Sequence, residues 1–370
     1  MSRVTVGDIE RAVAARFPTE WAEDWDRVGL LAGDPEREVT GVVLALDPTR
    51  AAIARAAELG ANVLVTHHPA FLKPPNWLTP GRGAAGVLFA AMDARVALVN
   101  AHTNLDRAPA AGLLLPDALG LEPIKPIERV TMPMALVTVF VPEGHADKIA
   151  AAMTGAGAGR LGEYEGCRFV SATGSGAFTP SLDASPFAGV AGEPSAVPEV
   201  RLEMVAPRNR VRGVVSAARS AHPYEEPLIT AGDVEIARSS ARMGMLNRVP
   251  EPLTLRGLAT LAAGVFEITP RVWGDPDTVL SRVATATGSA GALVGDTLAS
   301  GAQALVAGEV RYHDALDAVE LGLAVLEIGH DVSEWPLVAL LEDAVRAIVG
   351  MHSDKVHVLP ATPGWWTPQR

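Results

Sequence analysis

Short runs of apolar residues alternate with amphipathic segments of helical period near both ends of the chain. The apolar runs predict strands at 39–47, 62–68, 303–310 and 323–331, and residues 95–106 as a strand followed by its exit loop. The amphipathic segments predict helices at 48–60, 84–94, 312–322 and 335–350. Strands that are apolar throughout indicate a parallel sheet covered by helices on both faces. The pattern therefore predicts an α/β core in two halves rich in parallel sheet, residues 1–128 and 246–370.

The middle of the chain departs from this alternation. Residues 121–133 contain three prolines, which indicates a passage into another domain. The pattern beyond them predicts, in order, a strand at 135–144, a helix at 145–157, a Gly-, Pro- and Ser-rich stretch at 174–200, a strand at 200–207 and a helix at 210–221. This order predicts a small α+β domain at about 129–245, inserted into the outer α/β core.

Composition narrows the class of protein. The 370 residues are 48% hydrophobic and 20% charged, as expected for a globular chain of two or three domains. The net charge of −12 argues against a chain-wide surface for nucleic acid or anionic membrane. The single cysteine, Cys167, excludes an internal disulfide framework and a Cys-rich zinc site.

Neither a signal peptide nor a membrane span is expected from the sequence. The first residues contain no apolar segment of the kind that signal peptides carry. The most apolar long stretch, 288–308, contains Asp296 and Gln303 and is rich in glycine. We therefore expect a cytoplasmic protein.

Histidines and carboxylates collect where the predicted strands end. Four strand exits carry them, and five of the nine histidines belong to this set. The residues are Thr66, His67 and His68; His102, Asn104 and Asp106; Glu309 and His313; and His330 and Glu334. Because sites in open α/β sheets form beyond the carboxyl ends of the strands, this placement predicts one shared site.

Each of these features also has an ordinary structural explanation. Asp106 could cap the turn that follows it, and Glu334 is typical of the beginning of a helix. Glu309 and His313 could pair along a helix face, and one of the two adjacent histidines could be a packing residue. The metal-site hypothesis rests on all four strand exits carrying such residues together.

The residue types define the chemistry of such a site. Imidazoles and carboxylates without thiolates suit Zn, Mn, Fe, Co or Ni. Neighbours in an extended chain point to opposite sides, so His67 and His68 would serve two different ions. Two ions about 3.5–4 Å apart would hold a bridging water, lower its pKa and stabilise developing charge.

Five motifs carry a resemblance to a known family. They are "EDWDRVGLLAGD" (23–34), "VTHHP" (65–69), "AHTNLD" (101–106), "AGEVRYHDAL" (307–316) and "GHDVSE" (329–334). In this order and spacing they resemble the Nif-three-like family of dinuclear-metal proteins, also known as GTP cyclohydrolase I type 2 homologues. Three further motifs, "GAGRLGEYEGCRF" (157–169), "GSGAF" (174–178) and "HPYEEP" (222–227), resemble the insert of the family's long form. That insert has a PII-like, CutA-like ferredoxin-type fold.

The resemblance implies a set of ligands for two divalent metal ions per chain, zinc before manganese, iron, cobalt or nickel. The implied ligands are His67, His68, Asp106, His330 and Glu334, with Glu334 as a bridge. His102, Glu309 and His313 match motif positions beside the site and would support the ligands or transfer protons. The resemblance also implies a toroidal homohexamer whose sites face an internal cavity.

The chain departs from the family pattern without losing an implied ligand. Residues 107–120 replace a Gly-x-Asn-Asp turn, and residues 284–296 are a loosened form of a Gly-Gly-rich turn. "AGE" at 307–309 stands where Thr-Gly-Glu is usual. These differences concern the substrate pocket more than the metal site.

Two functions follow as hypotheses. The first is a metal-dependent hydrolase acting on a nucleotide or related small molecule, with GTP ring opening as the activity implied by the family name. The alternative is a metal-responsive binding or assembly protein without turnover, which the PII-like insert favours. The sequence contains no P-loop and no dinucleotide fingerprint, so a nucleotide would be held by other means.

Overall fold

The computed structural model describes residues 3–23, 25–81, 83–128, 131–161, 164–237, 241–348, 353–361 and 365. Several residues that belong to the sequence predictions lie outside this description. They include Asp24 of the first family motif, Gly162 and Glu163 of "GAGRLGEYEGCRF", residues 129–130 and 238–240 of the expected insert, and residues 349–350 of the predicted helix 335–350.

The strands of the described residues are, in chain order, β1 (Gly29–Ala32), β2 (Val42–Ala45), β3 (Val63–Thr66), β4 (Ala97–Asn100), β5 (Glu122–Pro126), β6 (Thr131–Pro142), β7 (Phe169–Val170), β8 (Gly174–Phe178), β9 (Ser195–Ala206), β10 (Ile229–Ala237), β11 (Met245–Thr254), β12 (Arg271–Trp273), β13 (Val279–Ser289), β14 (Ala304–Glu309), β15 (Ala324–Glu327) and β16 (Val356–Val358).

The α-helices of the described residues are α1 (Val6–Arg16), α2 (Arg50–Glu58), α3 (Gly83–Asp93), α4 (Thr103–Asp106), α5 (Ala111–Ala118), α6 (Ala146–Gly155), α7 (Val211–Ala221), α8 (Leu255–Phe266), α9 (Val294–Ser300), α10 (Tyr312–Glu320), α11 (His330–Glu334) and α12 (Leu337–Arg346). Short 3₁₀ helices lie at Thr19–Trp21, Arg208–Arg210, Gly291–Leu293 and Ser353–Lys355. None of the helices in the described part of the chain combines the length and the apolar character that a membrane crossing requires.

The chain folds into two compact units. The first consists of Met1–Arg129 together with Ser240–Arg370, and the second is Val130–Ser239. The sequence places the end of the insert at 245, whereas residues 241–245 lie in the first unit. There the Ile127 amide donates to the Gly244 carbonyl, and the Glu128 amide donates to the Met243 carbonyl. These bonds continue the antiparallel pairing of β5 with β11.

The first unit contains two mixed sheets whose central strands are parallel. One has the order β1-β4-β3-β2-β16, with β1 antiparallel at its edge. The other has the order β12-β15-β14-β13-β11-β5, in which β13, β14 and β15 are parallel. All four residues of each of β2, β3, β4 and β15 are buried. The predicted buried parallel strands are therefore present in a mixed α/β fold.

The two sheets do not correspond to the two halves of the sequence. Strand β16 pairs with β2, and β5 pairs with β11. Leu337, Leu341 and Val345 of α12 are buried in the core of the first sheet. Apolar residues spaced four apart show that a helix has a buried face, but they do not show which sheet will cover that face.

Residues 284–296 differ from the expected turn. Strand β13 continues to Ser289, and a short 3₁₀ helix at Gly291–Leu293 then leads into α9. Thr285, Ala286 and Thr287 are buried in the sheet. Small Ala, Thr and Gly residues carry little apolar signal, yet they pack where α11 lies close to the strand.

The second unit is an antiparallel sheet with two helices. Its chain order is β6, α6, β7 with β8, β9, α7 and β10, and its strand order is β10-β6-β9-β7, with β8 also paired to β9. Ile149 and Met153 of α6 and Val214 of α7 pack on Val139 and Leu202 in one buried core. The Gly-, Pro- and Ser-rich stretch supplies β8 and the first residues of β9.

Candidate metal centre

His67 and His68 follow directly from the buried strand β3. The Nδ1–H of His67 donates to the Ala101 carbonyl over 3.0 Å, which leaves Nε2 as the nitrogen with a free lone pair in the neutral ring. That Nε2 atom is buried and has no hydrogen-bond partner among the described residues. It lies 3.8 Å from Asp106 Oδ2 and 3.6 Å from Glu334 Oε1. A buried nitrogen facing two carboxylates is suited to a cation between them.

His68 turns toward a different pair of carboxylates. Its Nδ1 lies 2.8 Å from Asp47 Oδ1, and its Nε2 lies 2.8 Å from Glu334 Oε2. The ring centroids of His67 and His68 are 5.0 Å apart. The two adjacent imidazoles therefore face opposite oxygens of the same glutamate.

The exit of β4 supplies His102 and Asp106. One turn of helix, α4, begins after His102 and ends at Asp106, so the two side chains lie on the same side of that turn. Asp106 is buried, and its Oδ1 accepts a hydrogen bond from the Thr287 hydroxyl over 2.7 Å. Nδ1 of His102 lies 2.9 Å from Asp26 Oδ1, and the ring centroid is 5.3 Å from that of His67.

The exit of β15 supplies His330 and Glu334 from the first and last residues of α11. Nε2 of His330 lies 3.1 Å from Glu334 Oε2, while Nδ1 lies 3.2 Å from Glu309 Oε1. The Glu334 carboxylate is buried against Gly288 of β13, where an added Cβ would overlap Oε1. Glycine at 288, with φ of +58°, thus leaves room for the carboxylate to reach the neighbouring histidines.

Two groups of potential ligands share Glu334. His67, Asp106 and Glu334 form one, and His68, His330 and Glu334 form the other. Oε1 of Glu334 faces the first group and Oε2 faces the second. A third group joins His67, His68 and His102. The arrangement can hold a metal ion, and it places the potential ligands in groups around one carboxylate.

Residues 4–362 match the family model described as Duf34/NIF3 (NGG1p interacting factor 3). The chain belongs to the DUF34/NIF3 family.

Several known proteins are similar to this chain in sequence or in fold. The GTP cyclohydrolase 1 type 2 homolog of Halalkalibacterium halodurans is 32% identical over 320 residues, with 86% of each chain covered. The protein of the same name from Bacillus subtilis is 30% identical over 341 residues, covering 91% of this chain and 90% of that one. The crystal structure of a Bacillus cereus protein related to NIF3 has 28% identity and a TM-score of 0.64, and it covers 99% of this chain and 100% of that one.

Charge in this DUF34/NIF3 site is shared between carboxylates and imidazoles. Burial opposes a charged ring, but hydrogen bonds to Asp47 and Glu334 raise the pKa of His68 to about 10. The hydrogen bond to Glu334 raises the pKa of His330 to about 9. Burial opposes ionisation of Glu334, yet His67, His330 and His68 together hold its pKa well below its usual value.

The buried aspartates respond differently to their surroundings. Burial raises the pKa of Asp106, and the neighbouring Glu334 charge acts in the same direction. Burial also opposes ionisation of Asp26, but the His102 hydrogen bond lowers the pKa of Asp26 to about 2. The charge on Asp106 thus depends on nearby positive charge. Cations bound at the imidazole nitrogens would replace their protons and supply that charge.

The three residues expected beside the site differ in how close the structure places them to the potential ligands. His102 joins a group of potential ligands, and Glu309 contacts His330 from an exposed position. His313 is exposed on the first turn of α10, with its ring 5.4 Å from that of Tyr312. No group of potential ligands within the described ranges includes His313.

Sequence reasoning missed three residues that contact the potential metal ligands. Asp47 contacts His68, Asp26 contacts His102, and Thr287 contacts Asp106. Asp47 ends the first predicted strand, so the strand-exit rule could have found it. Asp26 lies within the first family motif, whereas Thr287 has no signal in the sequence.

Proposed function

We propose that this DUF34/NIF3 chain binds two divalent metal ions and is a metal-dependent hydrolase of a nucleotide or related small molecule. One observation carries the proposal: one oxygen of the Glu334 carboxylate faces His67, which also lies beside Asp106, and the other oxygen faces His68 and His330. The buried, unpartnered Nε2 of His67 supports a cation at the first position. Nitrogen and oxygen donors without thiolate suit zinc, as they also suit Mn, Fe, Co and Ni.

Divalent ions in these positions would supply a water of lowered pKa and positive charge opposite developing negative charge. The residues of the chain would hold and orient this centre. Ala101 fixes the ring of His67, Asp47 fixes that of His68, and Glu309 fixes that of His330. Asp26 holds Nδ1 of His102, so Nε2 is the nitrogen of that ring able to take up and return a proton.

The substrate class rests on the names of the relatives. GTP cyclohydrolase 1 type 2 homolog is the name of the proteins from H. halodurans and B. subtilis, so GTP is the first compound to assay. A panel of other nucleotides and phosphoesters belongs in the same experiment. Fold alone does not identify an activity.

The test compares metal-replete and chelated full-length protein on this panel. We expect turnover that disappears with the metal, and Asp106→Ala should lose metal and activity together. His102→Gln should keep the metal and lose about 10²–10⁴-fold in turnover if the ring transfers protons. His313→Ala, an exposed imidazole outside the ligand groups, is the matched control and should change turnover little. Absence of a metal-dependent product from every compound would favour the alternative function.

The alternative is a metal-responsive binding or assembly protein without turnover. The second unit favours it, because β7 and β8 both pair with β9 and, counted as one edge strand, give the β-α-β-β-α-β order of ferredoxin-like domains. We propose that this unit is the PII-like, CutA-like insert of the long family form. We also propose a toroidal homohexamer, on the family resemblance of the sequence, and a light-scattering mass of six chains would support it.

A further inference from the structure

Three sequence features that the metal centre does not use meet at one cavity within the second unit. They are the "GSGAF" motif of β8, the part of the Gly-, Pro- and Ser-rich stretch that follows β8, and the "HPYEEP" motif after α7. The cavity has a volume of about 900 Å³. That volume falls in the range of small-molecule sites.

Aromatic rings form one wall of the cavity. Phe178, Phe187 and Tyr224 line it together with Phe140. The ring centroid of Tyr224 is 5.9 Å from that of Phe187 and 6.3 Å from that of Phe178, separations typical of packed aromatic pairs. Phe187 is 53% exposed, which is unusual for phenylalanine and places apolar surface at the cavity.

Hydrogen bonds hold the wall in place. Nε2–H of the buried His222 donates to the Phe140 carbonyl over 2.9 Å, and the Tyr224 amide donates to His222 Nδ1 over 3.0 Å. The Glu225 carboxylate accepts from the Ser185 amide over 3.0 Å. These bonds tie the "HPYEEP" segment to β6 and to the Gly-, Pro- and Ser-rich segment, so three separate parts of the chain build the cavity.

Glu199 contributes to the lining a carboxylate that lies beside an aromatic side chain. Oε1 of Glu199 accepts a hydrogen bond from the Tyr224 hydroxyl over 2.9 Å, and no Lys or Arg of the described ranges pairs with Glu199. The carboxylate lies against Gly176, where an added Cβ would overlap it. Glycine at this position of β8 therefore makes room for the charge.

Of the other charged residues in the lining, two are already paired with an opposite charge, whereas Glu225 accepts the Ser185 amide and has no Lys or Arg partner among the described residues. Arg201 pairs with Glu203 over 3.3 Å, and Glu226 pairs with Arg219 over 2.8 Å. The lining thus contains three glutamates and one arginine, Glu199, Glu225, Glu226 and Arg201. An anionic ligand such as a nucleotide phosphate would meet net negative charge.

We propose that this cavity binds an organic cation, a protonated amine carried on an aromatic or apolar body. The ammonium group lies at Glu199, where it forms a charge-assisted hydrogen bond with the carboxylate. The body of the ligand packs among Phe178, Phe187 and Tyr224, whose ring faces attract cations as well as apolar groups. The site is separate from the metal ligands and does not depend on hydrolysis.

The test uses full-length protein with the His330→Ala, Glu334→Ala double substitution, so that an amine has no metal to bind. Calorimetric titration compares 2-phenylethylamine with its neutral counterpart 2-phenylethanol. We expect the amine to bind in the millimolar range or tighter, and the alcohol about tenfold more weakly or not at all. Equal binding of the two compounds, or no binding of the amine at millimolar concentration, would overturn the proposal.

Variants locate the binding. Glu199→Gln should weaken amine binding about tenfold or more. Glu165→Gln removes the same charge from an exposed residue of this unit outside the cavity and should leave binding unchanged. Tyr224→Phe keeps the ring and provides a second variant should Glu199→Gln fail to fold. Retention of full affinity by both Glu199→Gln and Tyr224→Phe would place the amine elsewhere.

Discussion

At the scale of single residues, Glu334 connects the two groups of potential metal ligands. Its two oxygens face different imidazoles, and its carboxylate is buried with 3% of the residue exposed. A buried carboxylate is costly unless positive charge surrounds it. His68 and His330 meet that requirement as protonated rings, and divalent ions would meet it more fully.

Glu334→Gln should remove most of the bound metal while the fold persists. The amide has nearly the same shape but lacks the charge, so neither group of ligands would keep its shared anion. Elemental analysis of protein purified without chelator measures the metal, and circular dichroism measures the fold. Glu320→Gln, an exposed position on α10, is the control and should retain the full content. Unchanged metal in Glu334→Gln would contradict the assignment.

At the scale of elements, short segments after strands place the functional groups. Helix α4 has four residues and turns Asp106 back beside His67. Helix α11 has five residues and sets His330 and Glu334 one turn apart. In the second unit, hydrogen bonds of His222 hold the segment after α7. Its ring donates to the Phe140 carbonyl and accepts from the Tyr224 amide.

The second unit should lose stability in acid through His222. Burial lowers the pKa of this ring below its usual value of 6.5. Below about pH 6.5 the unfolded chain therefore binds more protons than the folded chain, and unfolding becomes more favourable as pH falls. Thermal melting between about pH 8 and about pH 5 should show this decline, and His222→Gln should reduce its slope.

His145→Gln is the matched control for this pH dependence. It removes the other histidine of the unit, whose Nδ1 lies 3.3 Å from the Glu143 carbonyl in an exposed setting. The acid slope should persist in that variant. Identical slopes in His222→Gln and the unmodified protein would show that other groups cause the decline.

At the scale of the whole molecule, one chain contains two compact units and the site belongs to the first. The chain leaves the first unit after Arg129 and returns to it at Ser240. Glu128 and Met243 lie close to these two points in the sequence. These two residues are neighbours, since the Glu128 amide donates to the Met243 carbonyl over 3.1 Å and the Met243 amide donates to the Glu128 carboxylate over 2.8 Å. A short connection can therefore span the two ends.

Replacing residues 130–239 with a short Gly/Ser linker should leave a folded core that binds metal. All of the ligands that we propose lie outside this segment, and the contacts of Glu128 with Met243 remain. Metal content and a cooperative melting transition, compared with those of the full-length protein, test the expectation. Loss of both would show that the two units share a core. Replacing residues 129–245 with the linker would also remove residues of the first unit, so it is the less conservative design.

The sequence by itself determined the strands that lead into the site. Continuous apolar runs require burial on both faces, so β2, β3, β4, β14 and β15 could be predicted without coordinates. Few polar residues follow these predicted strands. They include His67, His68, His102, Asp106, His330 and Glu334, which could therefore be named from the sequence. Hydrophobic periodicity and strand exits are local properties, and local properties can be predicted from sequence.

Only the tertiary structure decided which of these residues meet. The division of ligands between the two oxygens of Glu334 depends on side-chain directions at β3 and α11, which are 266 residues apart at His68 and Glu334. The packing of α12 on the first sheet, the approach of Thr287 to Asp106 and the exposed position of His313 depend on the same long-range packing. Periodicity shows that a face is buried, but the partner of that face is set by the competition of all other surfaces for burial.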